Sequence, residues 1–133
     1  MNEIILAVAT DNSENFIDRH FGDAKYFDIY KLTKSSAQFI KRVENVIEEQ
    51  EDVHAHPEKA RGVAGLLKKE NVTVVISKIF GPNIKRIRKK FVCVIMNDET
   101  ITAALDRIPH SWDTIQEEWE KGADRQHCIL RKS

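Results

Sequence analysis

A chain of 133 residues holds one core of ordinary size and is too short for two. Its 41% apolar and 32% charged residues describe a globular domain with a heavily charged surface. Twenty-one basic residues balance twenty-one acidic ones, so no general field draws in nucleic acid or anionic lipid; a partner of either kind would need a local patch.

The first predicted element is an apolar strand over residues 4–9. It has neither the basic start nor the length of a signal peptide, and Asp11, Asn12 and Ser13 end it well short of a membrane span. After a long loop, residues 25–32 and 37–46 mix apolar and charged side chains around the four polar residues 33–36, which predicts an antiparallel hairpin. Pro57 suits the first turn of a helix whose apolar face is Ala60, Val63, Ala64 and Leu67. Gly62 and Gly65 each cost that helix about 1 kcal/mol against alanine, a cost that close approach to the sheet would offset.

Residues 72–76 and 91–96 form two more apolar runs, with a helix from Pro82 between them that buries Ile84 and Ile87 and exposes a row of lysines and arginines. Such runs without alternation suit strands covered on both faces. Asn97 or Asp98 is placed to cap a helix carrying Ile101, Ala104, Leu105 and Ile108, which Pro109 stops. Ser111 is placed to cap a last helix, with Trp112, Ile115 and Trp119 on one side and Gly122 at its end. The order β-β-β-α-β-α-β-α-α, with right-handed crossovers, predicts an α/β fold: a three-layer α/β/α sandwich over residues 1–122, followed by a polar tail over residues 123–133. Cys93 lies in an apolar run and Cys128 on the tail; no disulfide framework is implied, and a cytoplasmic protein is expected.

Ligands of open α/β sheets gather at the carboxyl ends of the parallel strands. Residues 10–24, 77–82 and 96–99 belong at that edge, and residues 48–57 lie either there or at the opposite one. The first of these loops has fifteen residues, against a usual two to six, and ends in Arg19-His20-Phe21-Gly22-Asp23-Ala24. A long loop with an imidazole beside a glycine is either a ligand site or a surface loop with a packed Phe21.

The run from His20 to Tyr30, with His20-Phe21-Gly22 at its head, resembles the His-Phe-Gly signature of the dinitrogenase iron–molybdenum cofactor biosynthesis family, the NifX/NifY-type domains. Two further segments are similar in order and spacing: Val74-Val75-Ile76-Ser77-Lys78-Ile79-Phe80-Gly81-Pro82-Asn83, and residues 91–96 with the helix that follows. The resemblance spans residues 3–108. It implies a ribonuclease-H-like fold with a mixed five-stranded sheet and an antiparallel edge hairpin. It also implies a role in binding or carrying an iron–sulfur or iron–molybdenum type cluster or its precursor, exchanged with a donor or acceptor protein. His20, Phe21 and Gly22 then match the motif, Gly81 matches the turn flanking the ligand, and His54 and His56 fall in the variable segment before the first helix. His20, His54 and His56 are the candidate metal ligands, imidazole being suited to iron.

Two readings compete with the carrier. A regulatory or scaffold module with a vestigial pocket is favoured by the bulky Lys78-Ile79-Phe80, where the family turn is glycine-rich. A metal-dependent nuclease would need carboxylates converging on two cations. The first strand carries none, and Asp11, Asp28 and Asp98 make no convincing set. No enzyme activity, nucleic acid or membrane partner is therefore expected, and the oligomeric state stays open.

Overall fold

The structure is a computed structural model that describes residues 2–46 and 57–131. Its strands are β1 (Ile4–Thr10), β2 (Tyr26–Leu32), β3 (Ala37–Glu44), β4 (Val74–Ser77), β5 (Val92–Ile95) and β6 (Cys128–Ile129). Its helices are α1 (Pro57–Lys68), α2 (Ile84–Ile87), α3 (Ile101–Arg107) and α4 (Trp112–Glu120). One sheet takes the order β3-β2-β1-β4-β5-β6. The β1–β2–β3 pairings are antiparallel and β1–β4–β5–β6 are parallel.

Because β1 is central, its side chains alternate between two cores. Ile4, Leu6 and Val8 pack with Ile101, Leu105, Trp112 and Ile115 of α3 and α4. Ala7 and Ala9 face Val63 and Leu67 of α1, Ile87 of α2 and the aromatics Phe21, Phe27 and Phe80. The unalternating apolar run thus has its physical cause: both faces are dry. The expected three-layer sandwich is what forms. No helix among the described residues is long and apolar enough to cross a membrane.

The hairpin turns where expected. Thr33 donates its N–H to Ser36 O at 2.9 Å, and its hydroxyl accepts from Ser36 N at 3.1 Å. Lys41 lies opposite Ile29 and Phe39 opposite Tyr30, which leaves Ile40 as the extra residue of a bulge.

Three local expectations need correction. The helix expected from Pro82 is a short one, α2, flanked by tighter turns that let the chain reach β5 within a few residues. The cap of α3 is Thr100, whose hydroxyl accepts from Ala103 N at 3.1 Å. Asp98 is occupied elsewhere, its carboxylate meeting Arg107 at 2.7 and 2.9 Å. Ser111 makes no side-chain cap bond, whereas Gly122 does end α4 in the left-handed region, at φ 60°.

Among the described residues the sheet has six strands rather than five, and the sixth comes from the expected polar tail. Arg125 explains how. It is only 6% exposed, and its guanidinium lies 4.1 Å from the ring centre of Trp119. It donates to Trp119 O at 2.7 and 3.1 Å and to Lys89 O at 3.0 Å, joining the end of α4 to the turn after α2. From that anchor Cys128 pairs with Val94, and Leu130 N reaches Ile95 O at 2.9 Å. Arg125→Ala removes all three of these hydrogen bonds and the ring contact with Trp119, and should lower unfolding free energy by about 2–4 kcal/mol in urea titrations. Arg125→Lys should recover less than half, since one ammonium lacks the fork that spans both carbonyls.

Candidate functional site

The loop between β1 and β2 is built in two halves that lean to opposite faces of the sheet. Thr10 is fully buried, and its hydroxyl donates to Asn15 O at 2.7 Å while accepting from Ser13 N at 3.0 Å. Asn12 Oδ1 accepts the N–H groups of Glu14 and Asn15, both at 2.9 Å. The turn so formed is tied to α3, with Asn15 Nδ2 on Glu99 O and Ile101 N on Glu14 O, each at 2.9 Å. Phe16 joins the core beneath α3 and α4; Ile17, Phe21 and Ala24 enter the core beneath α1. Asp11 braces the crossing, receiving Arg19 at 2.9 and 3.0 Å and Lys25 N at 2.9 Å. The Arg19 hydrogen bonds, opposed by partial burial, hold its carboxyl below the usual carboxylate range. An open cleft of about 230 Å³ lies between Asp11, Asn12 and residues 15–19. His20 follows this cleft in sequence without lining it.

His20 is where the loop meets the turn after β4. It forms a parallel bridge with Ile79, and Phe21 N donates to Ile79 O at 2.8 Å. Phe21 is wholly buried, stacked on Phe80 and tilted against Phe27, with ring centres 5.1 Å apart in both pairs. The imidazole of His20 rests against Gly81. A Cβ at that glycine would fall 2.5 Å from Nδ1, and the backbone there has φ +72°. Glycine is required on both counts. The ring is half-exposed, and no described residue hydrogen-bonds its nitrogens.

The structure therefore brings His20 and Gly81 together and assigns Phe21 to the core beneath them. Gly22 lies in the 3₁₀ turn Phe21–Asp23, its carbonyl receiving Asn45 Nδ2 at 2.9 Å. His54 and His56 lie outside the described residues. The bulky turn is disposed differently from its sequence reading: Phe80 is spent in the core, and Lys78 Nζ turns to Asp18 at 3.2 Å. Ile79 remains 40% exposed. Sequence reasoning placed Ser77 at this edge without singling out its hydroxyl, which at the end of β4 is buried with no hydrogen-bond partner among the described residues. A serine ending an apolar strand carries no signal of that kind.

Neither cysteine offers a thiolate here. Burial drives the Cys93 thiol far up, and pushes Cys128 from 9.0 to about 11. No three His, Cys, Asp or Glu side chains among the described residues come together as an ion cage. At this edge the described chain offers a single imidazole backed by glycine.

Two outcomes follow from this geometry. Gly81→Ala should displace the His20 ring and add about 1–2 kcal/mol of backbone strain, read as a lowered Tm and an altered His20 imidazole resonance. Both thiols should resist Ellman's reagent at pH 8 in the native protein and react on unfolding. Since folding raises the Cys128 pKa, its contribution to stability is complete below about pH 9 and is lost as pH rises towards about 11.

Comparison with known proteins bears on this arrangement. No curated protein matches the chain. A crystal structure from Methanocaldococcus jannaschii, of a protein provisionally assigned as a dinitrogenase, superposes with a TM-score of 0.59 at 20% identity. It covers 84% of this chain and 92% of the other. An NMR structure from Methanococcus jannaschii with the same assignment gives a TM-score of 0.56 at 20% identity over the same shares, 84% and 92%. At this identity the two structures speak for the fold alone. The family model for dinitrogenase iron-molybdenum cofactor proteins matches residues 2–109, from β1 through the end of α3. That span holds both the His20 loop and the Gly81 turn, and the chain belongs to the dinitrogenase iron-molybdenum cofactor family.

Proposed function

We propose that the protein is a small binding or carrier protein for an iron–sulfur or iron–molybdenum type cluster or its precursor, held as cargo at the carboxyl edge of the sheet. The observation that carries this reading is the His20 imidazole: half-exposed, free of hydrogen bonds from the described residues and seated on a glycine within the family's matched span. Imidazole is a good ligand for iron, and no described residue occupies the nitrogens of this one. His54 and His56 are the further candidate ligands.

One imidazole is a weak hold compared with the closed four-ligand sets of structural metal sites. For a carrier that is an advantage, because cargo held through few bonds passes readily to an acceptor protein. The role is binding rather than catalysis. Phosphodiester chemistry is poorly served, since each carboxylate it would recruit already faces its own arginine: Asp11 with Arg19 at 2.9 Å, Asp28 with Arg42 at 3.5 Å, Asp98 with Arg107 at 2.7 Å. The scaffold alternative rests on a turn crowded by Lys78, Ile79 and Phe80; the carrier reading is supported by Lys78 turning to Asp18 and Phe80 stacking on Phe21, while Ile79 stays 40% exposed.

Anaerobic reconstitution with iron and sulfide, and separately with a donor of the iron–molybdenum cofactor, tests the proposal. The native protein should acquire stoichiometric visible absorbance in at least one arm. His20→Ala should weaken that uptake by about tenfold or more, equivalent to about 1.4 kcal/mol. His110→Ala, on the exposed turn after α3, should leave it unchanged. Absence of uptake by the native protein, or equal uptake by His20→Ala, overturns the reading.

A further inference from the structure

The sheet ends on β3, whose eight residues are exposed except for the half-buried Val43. Asn45 donates its N–H to Lys25 O at 2.9 Å and so extends the ladder with β2. Inward and outward residues alternate along an antiparallel strand. Val43 and Asn45 therefore face β2, and the N–H and C=O groups of Arg42 and Glu44 point away from the sheet. An open edge of this kind is ordinarily blunted by charge, a bulge or a cover. β3 has a bulge at Ile40 and the cations Lys41 and Arg42, yet its charges are matched rather than repelled in one particular self-pairing.

Set a two-fold axis through Val43 and run a second β3 antiparallel to the first. Arg42 of each copy then meets Glu44 of the other, and these are the residues whose backbone groups point outward. The bulge residue Ile40, 45% exposed, comes near Val46, 67% exposed, at each end of the pairing. An axis through Arg42 sets that cation against itself, and an axis through Glu44 opposes two carboxylates. A register shifted by an odd step places the outer side of one sheet against the inner side of the other. Glu44 makes no hydrogen bond or ion pair with another described residue, and Arg42, whose Nε faces Asp28 at 3.5 Å and whose guanidinium lies 4.5 Å from the Tyr26 ring centre, keeps a side chain 43% exposed for the pairing.

We propose that β3 is the interface of a homodimer, in which two copies of this chain pair antiparallel across Val43 to form one continuous sheet. Main-chain bonds at Arg42 and Glu44, two Arg42–Glu44 ion pairs and two Ile40–Val46 contacts hold it. The contact is small, so the dissociation constant belongs in the micromolar range.

Sedimentation equilibrium and amide hydrogen exchange on the full chain test this. The native protein should dimerise with concentration, and the Arg42 and Glu44 amides should exchange more slowly in concentrated than in dilute solution. Glu44→Arg, which opposes like charges in both pairs, should weaken association at least about tenfold with Tm unchanged. Val46→Asp should weaken it through the apolar contact. A protein monomeric throughout the micromolar range, a dimer indifferent to Glu44→Arg, or protection confined to another element overturns the proposal.

Discussion

The candidate site depends on one aromatic side chain placed next to the functional one. Phe21 is driven into the core between Phe27 and Phe80, and its backbone N–H is fastened to Ile79. His20 has an extended backbone, φ −62° and ψ 146°, and neighbouring side chains of extended chain point to opposite sides. Burying Phe21 therefore turns His20 outward. The same aromatic pair draws the Phe80 turn up to the loop, so Gly81 arrives against the imidazole. Position and presentation of His20 both follow from hydrophobic burial one residue away, with no polar contact from the described residues holding the ring itself.

The parts of this architecture that could be read in the sequence are those set by burial on both faces. β1, β4 and β5 stand out because no charged residue survives inside them, and the hairpin stands out because its mixed strands flank a polar turn. Capping was misread where a residue had a stronger use. Asp98 suits a helix start by type, but a buried carboxylate facing Arg107 makes better use of its charge, and Thr100 caps instead. β6 was illegible because it is two residues long, and its support comes from an arginine that looks like an ordinary surface charge until its three carbonyl contacts are seen.

At the site, the His20-Phe21-Gly22 triplet was recognisable as a motif, whereas its contact with Gly81, sixty-one positions away, was not. No periodicity reports that a glycine lacks a Cβ because a histidine ring occupies the space. The side-chain directions of Lys78 and Phe80 were equally hidden, since a bulky residue in a turn can line a pocket or leave it. The burial of Phe80 and the pairing of Lys78 with Asp18 are both long-range properties.

The position of β6 has a consequence for how the molecule is made. A parallel strand at the margin of the sheet is supplied by the last described stretch of chain, after helices α1 to α4. During synthesis from the amino end, β5 must stay a bare margin until Cys128–Ile129 has emerged and Arg125 has found its carbonyls. The nascent chain therefore passes through a state with an apolar border open to other polypeptides, the condition under which translating chains most readily join one another.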